Sequence, residues 1–103
     1  MVLERVASIA GLVVAALVAL GSVAAAGTLD DVKARGSLSC GINPDLPGFS
    51  VAADDGHWAG FDIDYCRAIA AAVLGDADAV TYVPLTARER FDELRGGKVD
   101  VLV

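Results

Sequence analysis

Residues 60–84 read GFDIDYCRAIAAAVLGDADAVTYVP, and this stretch decides the fold. Ile63, Cys66, Ala70 and Val73 recur at i, i+3, i+7 and i+10, which places them on one face of a helix. Asp62 is positioned to cap that helix and Gly75 to stop it. Val80-Thr81-Tyr82-Val83 then reads as a short apolar strand, closed by Pro84. A helix leading into such a strand is the second half of a crossover, so a parallel partner strand is expected upstream.

That partner is Ser37 to Ile42, where Leu38, Cys40 and Ile42 alternate with less apolar residues. Before it, Thr28 to Arg35 reads as a short helix. Thr28 or Asp30 can cap it, acids come early, bases come late, and Gly36 ends it. Asn43 to Gly48 contains two prolines and a glycine and reads as a loop. Phe49–Ala52 and His57–Ala59 flank an Asp-Gly turn and read as a hairpin. Downstream, Thr86 and Glu89 have capping-box spacing, Ala87, Phe91 and Leu94 form an expected buried stripe, and Gly96-Gly97 ends the helix. Val99 to Val103 reads as a third strand. Strands alternating with helices predict an α/β lobe with a parallel sheet.

The chain has 103 residues, too few for several domains. Residues 1–26 hold 20 of its 57 apolar residues, and the remaining 77 residues are still 48% apolar, an ordinary globular share that excludes intrinsic disorder. The net charge is −6. Beyond Arg5, the basic residues Lys33, Arg35, Arg67, Arg88, Arg90, Arg95 and Lys98 are scattered, so neither nucleic acid nor anionic lipid is an expected partner. Met1–Arg5 is a short charged start, Val6–Leu20 an uncharged run, and Gly21–Gly27 a small-residue stretch. Residues 1–26 therefore read as a signal peptide, with a mature N-terminus at Ala25 or Gly27. The rival is a retained membrane anchor.

Cys40 and Cys66 lie in the exported part, where an even count suggests a disulfide. The alternative is two buried thiols. Their wide spacing does not make a zinc site, and neither metal nor cofactor is expected. In a doubly wound sheet, ligands bind beyond the carboxyl ends of the strands. Asn43–Phe49 sits there, and so does Leu85-Thr86, at a helix start whose free N–H groups favour an anion. Catalysis has little support. His57 reads as an exposed turn residue, Asp62 and Asp64 as helix-start acids, and Trp58 and Phe61 as hairpin and helix packing.

These residues carry a resemblance. Gly60-Phe61-Asp62-Ile63-Asp64, Val83-Pro84-Leu85-Thr86 and Gly97-Lys98-Val99-Asp100-Val101 resemble the periplasmic substrate-binding proteins of ABC-type amino-acid importers. Leu38-Ser39-Cys40-Gly41, Tyr65-Cys66-Arg67-Ala68 and Thr86–Phe91 are similar to the general L-amino-acid receptors among them. The resemblance implies part of lobe 1 of a type II periplasmic-binding-protein fold, spanning residues 27–103, and no enzyme activity. It also implies an L-amino acid ligand, an ABC permease partner, a monomer, and a periplasmic location. Ligand contacts carry over to Asn43, Asp45, Leu46 and Phe49, with Thr86 near the rim. Many relatives have an aromatic residue where Leu46 stands. The arginine that grips the ligand carboxylate, and the second lobe, are expected beyond Val103. The chain therefore reads as a fragment that ends in its third strand and binds no amino acid alone. The alternatives are an exported dehydratase-like enzyme, a membrane-anchored sensory domain, or a fragment without function.

Overall fold

The structure is a computed structural model and describes residues 27–103. The expected signal peptide, residues 1–26, lies outside them. Helix α1 spans Thr28–Arg35 and is followed by strand β1, Leu38–Ile42. A hairpin of β2, Val51–Ala52, and β3, Trp58–Ala59, leads into helix α2, Phe61–Leu74. Strand β4, Val80–Pro84, helix α3, Arg90–Arg95, and strand β5, Val101–Leu102, complete the order.

The main sheet is parallel throughout, in the order β4-β1-β5. β1 pairs with β4 from Leu38↔Val80 to Ile42↔Pro84, and with β5 through Cys40↔Val101 and Gly41↔Leu102. The chain steps from β1 outward to β4, then back across β1 to β5. Right-handed crossovers in opposite directions put α2 and α3 on opposite faces. Leu38, Cys40 and Ile42 all face α2 and are 2%, 0% and 1% exposed. Cys40, Ile42, Ile63 and Cys66 form one buried cluster, with Trp58 and Tyr82 packed against it. Val32, Leu38 and Ala70 form a second, which docks α1 on the same face. On the other face Gly41 has no room for a side chain, since a Cβ there would lie 2.6 Å from Leu102 Cδ2 and 3.0 Å from Leu85 Cδ1.

Cys40 and Cys66 are joined in a disulfide, with Cα atoms 6.2 Å apart and a sequence separation of 26. In the chain-entropy account a loop of that size contributes about 3.5 kcal/mol. At the lower end of the sheet the Asp100 carboxylate accepts the Ser39 N–H at 2.7 Å and pairs with the Arg35 guanidinium, latching α1 to β5.

Three helix expectations are corrected. α1 has the expected span but not the expected cap. Its cap is the Gly27 backbone, with no side-chain cap from Thr28 or Asp30. Asp62 does not cap α2. Gly60 holds that position at φ 132°, and the first free N–H groups, those of Phe61 and Asp62, donate to the carbonyls of Gly48 and Phe49 at 3.0 and 2.9 Å. A Cβ at Gly60 would overlap the Phe49 carbonyl, so both the backbone angle and the close approach require glycine. Asp62 and Asp64 remain in the first turn, where carboxylates favour the helix dipole. The expected stripe Ala87, Phe91 and Leu94 is not buried. Phe91 is 59% and Leu94 37% exposed, because six-residue α3 packs chiefly on short β5.

Candidate functional site

Three strand ends converge on one rim. The Leu85 N–H donates to the Ile42 carbonyl at 2.9 Å, and the Val103 N–H to the Gly41 carbonyl at 3.1 Å. The segments after β1 and β4 therefore leave the sheet side by side. A crevice at this level, where the strand order reverses direction, is where open α/β sheets accept ligands.

The first segment is tied mostly to itself. Asn43 Oδ1 accepts the Asp45 N–H at 3.2 Å, and the Asn43 carbonyl accepts the hydroxyl of fully buried Ser50. The Leu46 carbonyl takes N–H donors from Phe49 and Ser50, at 3.0 and 2.9 Å. Its proline and glycine content limits strand pairing to one antiparallel bridge, Leu46 with Ser50, and the two bonds from the α2 start add to these. Among the expected contact residues, Asn43 is half-buried and its side-chain oxygen is engaged. Asp45 is exposed, Leu46 is 39% exposed and Phe49 is 46% exposed.

Phe61 lies beside Phe49 on the surface, contrary to its reading as helix packing. It is 64% exposed and meets Phe49 edge to face, with ring centroids 6.2 Å apart. Tyr65, one turn further along α2, continues the row at 6.3 Å. The signal was present in the sequence. Phe61 lies outside the stripe of Ile63, Cys66 and Ala70, so burial was not required of it. The aromatic surface at this rim comes from Phe49 and Phe61, where Leu46 is aliphatic.

Thr86 is exposed at the second segment. Its capping box forms reciprocally. The Thr86 N–H donates to Glu89 Oε1 at 3.3 Å, and the Glu89 N–H to Thr86 Oγ1 at 3.4 Å. This corrects the expected anion site at Leu85-Thr86. Leu85 N–H goes to β1, Thr86 and Glu89 satisfy each other, and a carboxylate occupies the position. The turn enters α3 through the Arg90 N–H, which donates to the Thr86 carbonyl at 3.1 Å.

Arg90 was not singled out from the sequence. Its Nη2 donates to the Val103 carbonyl at 2.7 Å, and its guanidinium lies 5.9 Å from the Phe91 ring centre. A half-buried cation is thus fixed at the carboxyl end of β5. No local pattern pointed to it, because the contact joins residues 13 apart across a crossover. His57 lies away from the rim with its side chain 86% exposed, paired to Asp55 at 3.0 Å. Its backbone N–H and then its side chain hold the Asp55 carboxyl below the usual carboxylate range.

With that geometry in hand, three known proteins can be set beside this chain. The general L-amino acid-binding periplasmic protein AapJ of Rhizobium johnstonii is 52% identical over 89 residues, covering 85% of this chain and 26% of that protein. The glutamate/glutamine/aspartate/asparagine-binding protein BztA of Rhodobacter capsulatus is 52% identical over 101 residues, covering 98% of this chain and 29% of that protein. The solved structure of an ABC transporter/periplasmic binding protein from Brucella ovis, with glutathione bound, superposes with a TM-score of 0.73 at 55% identity. It covers 76% of this chain and 24% of that one. The chain thus spans about a quarter of the length of these three proteins. The sheet order and crossovers are those of the type II periplasmic-binding-protein fold shared by these neighbours. The family profile matches residues 38–103, and the chain belongs to the bacterial extracellular solute-binding proteins, family 3.

Proposed function

We propose that this chain supplies the first part of lobe 1 of an amino-acid receptor feeding an ABC importer. Residues 1–26 act as its export signal, cut before Ala25 or Gly27. In this reading Asn43, Asp45, Leu46, Phe49 and Thr86 face the ligand, and Phe61 joins them as an apolar wall. The convergence of three strand ends beneath the exposed Phe49–Phe61 pair carries the reading. The ligand's charged groups are held by other parts of the receptor, and Arg90 serves to fix the end of β5. The receptor is a monomer that docks on the permease once closed.

The ligand class is a molecule with a free α-ammonium and α-carboxylate. The names of AapJ and BztA specify amino acids, and the Brucella ovis protein holds glutathione, whose γ-glutamyl end carries the same pair. The half-identical relatives are named as binding proteins, which supports binding without chemistry on the ligand.

The test is a chimera in which residues 27–103 replace the aligned quarter of AapJ. Isothermal titration with an L-amino-acid panel should show binding by the chimera and none by the 103-residue chain alone. Phe61→Ala in the chimera should weaken binding about fivefold to thirtyfold, the loss of about 1–2 kcal/mol from a partly desolvated aromatic wall. A folded chimera that binds no amino acid would overturn the proposal. N-terminal sequencing of exported protein tests the leader, and intact Met1 in the membrane fraction would favour the anchored sensor.

A further inference from the structure

A cavity of about 660 Å³ lies beside the sheet, away from the rim, and is lined among others by Trp58, Ile63, Asp64, Arg67, Asp78 and Tyr82. It is built from the hairpin, α2 and β4, not from Asn43–Phe49 or Thr86. Its size is within the range of small-ligand and side-chain pockets. Along one wall runs β4, an edge strand whose only partner among the described residues is β1.

The ladder shows which way that edge points. The Leu38 N–H donates to the Ala79 carbonyl, and the Leu85 N–H to the Ile42 carbonyl. Parallel pairing therefore aims the backbone groups of Thr81 and Val83 at β1, and turns the N–H and C=O of Tyr82 outward. The Val80 N–H is already bonded to the Asp78 carbonyl, and Pro84 has none. The outward groups left for a partner are the Val80, Tyr82 and Pro84 carbonyls and the Tyr82 N–H. They suit a short added strand.

The Tyr82 side chain packs on the α2 face, against the Cys40 and Ile63 cluster. Any residue paired opposite Tyr82 points its side chain to that same face, and so into the cavity. The cavity offers it two aromatic rings, Trp58 and Tyr82, and a carboxylate. Arg67 and Asp78 pair with each other at 3.2 Å, while Asp64 has no ion-pair partner among the described residues. Burial raises the Tyr82 hydroxyl above its ordinary range, and the Asp78 and Asp64 carboxylates push the same way against Arg67. All three charged groups line the same cavity as this ring. The cavity's uncompensated charge is negative, like the whole chain's −6.

We propose that the β4 edge binds an extended basic peptide segment of a partner protein, added as a strand with a lysine or arginine seated between Trp58 and Tyr82 against Asp64. Main-chain bonds to the edge hold the segment, and the cavity selects the side chain.

Trp58 is the chain's single tryptophan, so its emission reports on the site directly. The probe is acetyl-Thr-Val-Lys-Val-Thr-amide, titrated into the full chain. Saturating change below about 1 mM is expected, and none at that level overturns the proposal. Norleucine in place of the lysine should weaken binding about fivefold, as should Asp64→Asn with the lysine peptide. Equal binding of the norleucine peptide overturns the cation pocket. Two further peptides carry one N-methyl group, on the lysine or on its neighbour. A strand of either polarity loses binding in one and keeps it in the other, and equal binding of both overturns the strand. The same response to n-butylammonium alone overturns the peptide as occupant, and a change on concentrating the chain without peptide assigns the edge to a second copy.

Discussion

The two sides of β1 differ sharply. Toward α2, the disulfide, Ile63, Ala70 and α1 make two buried clusters, and the loop after β1 is bonded to the start of the helix. Toward α3, a six-residue helix contains no buried residue and its apolar side chains face solvent. Both helices have apolar residues at helical spacing. Periodicity establishes which residues share a face, but burial also needs a surface opposite. α2 has one in β1 and the hairpin, while α3 packs chiefly on β5 and the Val103 that follows it.

This contrast yields a graded set of expected effects. Replacing both Cys40 and Cys66 with alanine should cost about 3.5 kcal/mol, read from urea unfolding of the oxidised chain. A loss under about 1 kcal/mol would show that the α2 side is held by packing alone. Gly60→Ala should cost about 2–3 kcal/mol, because a left-handed backbone angle and the Phe49 carbonyl both oppose a Cβ. On the other side, Thr86→Ala removes one half of the capping box and should cost about 1 kcal/mol. Phe91→Ser should change stability by no more than about 0.5 kcal/mol, since its ring is already mostly in water. An effect as large as that of Gly60→Ala would erase the distinction between the two sides.

The smallest effect belongs to the hairpin turn. Asp55 has an ordinary value of 3.8, and its folded value is lowered by His57. A lowered carboxyl stabilises the fold above that ordinary value, and the contribution is lost as pH falls through the folded one. The His57 amide should therefore exchange faster in acid than the amides of β1. Asp55→Asn should remove most of that difference.

Much of the fold was legible because its signals were local. The alternation Leu38, Cys40, Ile42 and the stripe Ile63, Cys66, Ala70 each specify one face over a few residues, and the structure buries both sets. The Thr86–Glu89 spacing likewise becomes a reciprocal pair of hydrogen bonds. What escaped was set by distant contacts. Asp62 looked like a cap, but the carbonyls of Gly48 and Phe49 reach the helix start first. Phe61 looked like packing because aromatic residues usually are; its place outside the buried stripe marked it as exposed, but its contact with Phe49 comes from a separate loop. Arg90 reaches Val103 only after the chain has crossed the sheet.

The Cys40–Cys66 bond also turns residues 40–66 into a covalent ring that contains the rim loop, the hairpin and Gly60. A protease that cuts the exposed turn at Asp54–Gly56 opens this ring without dividing the molecule. The nicked chain should therefore run as one species on a non-reducing gel and separate into two pieces only after reduction. The hairpin tip can thus accept breaks and insertions while the two ends of the ring stay joined.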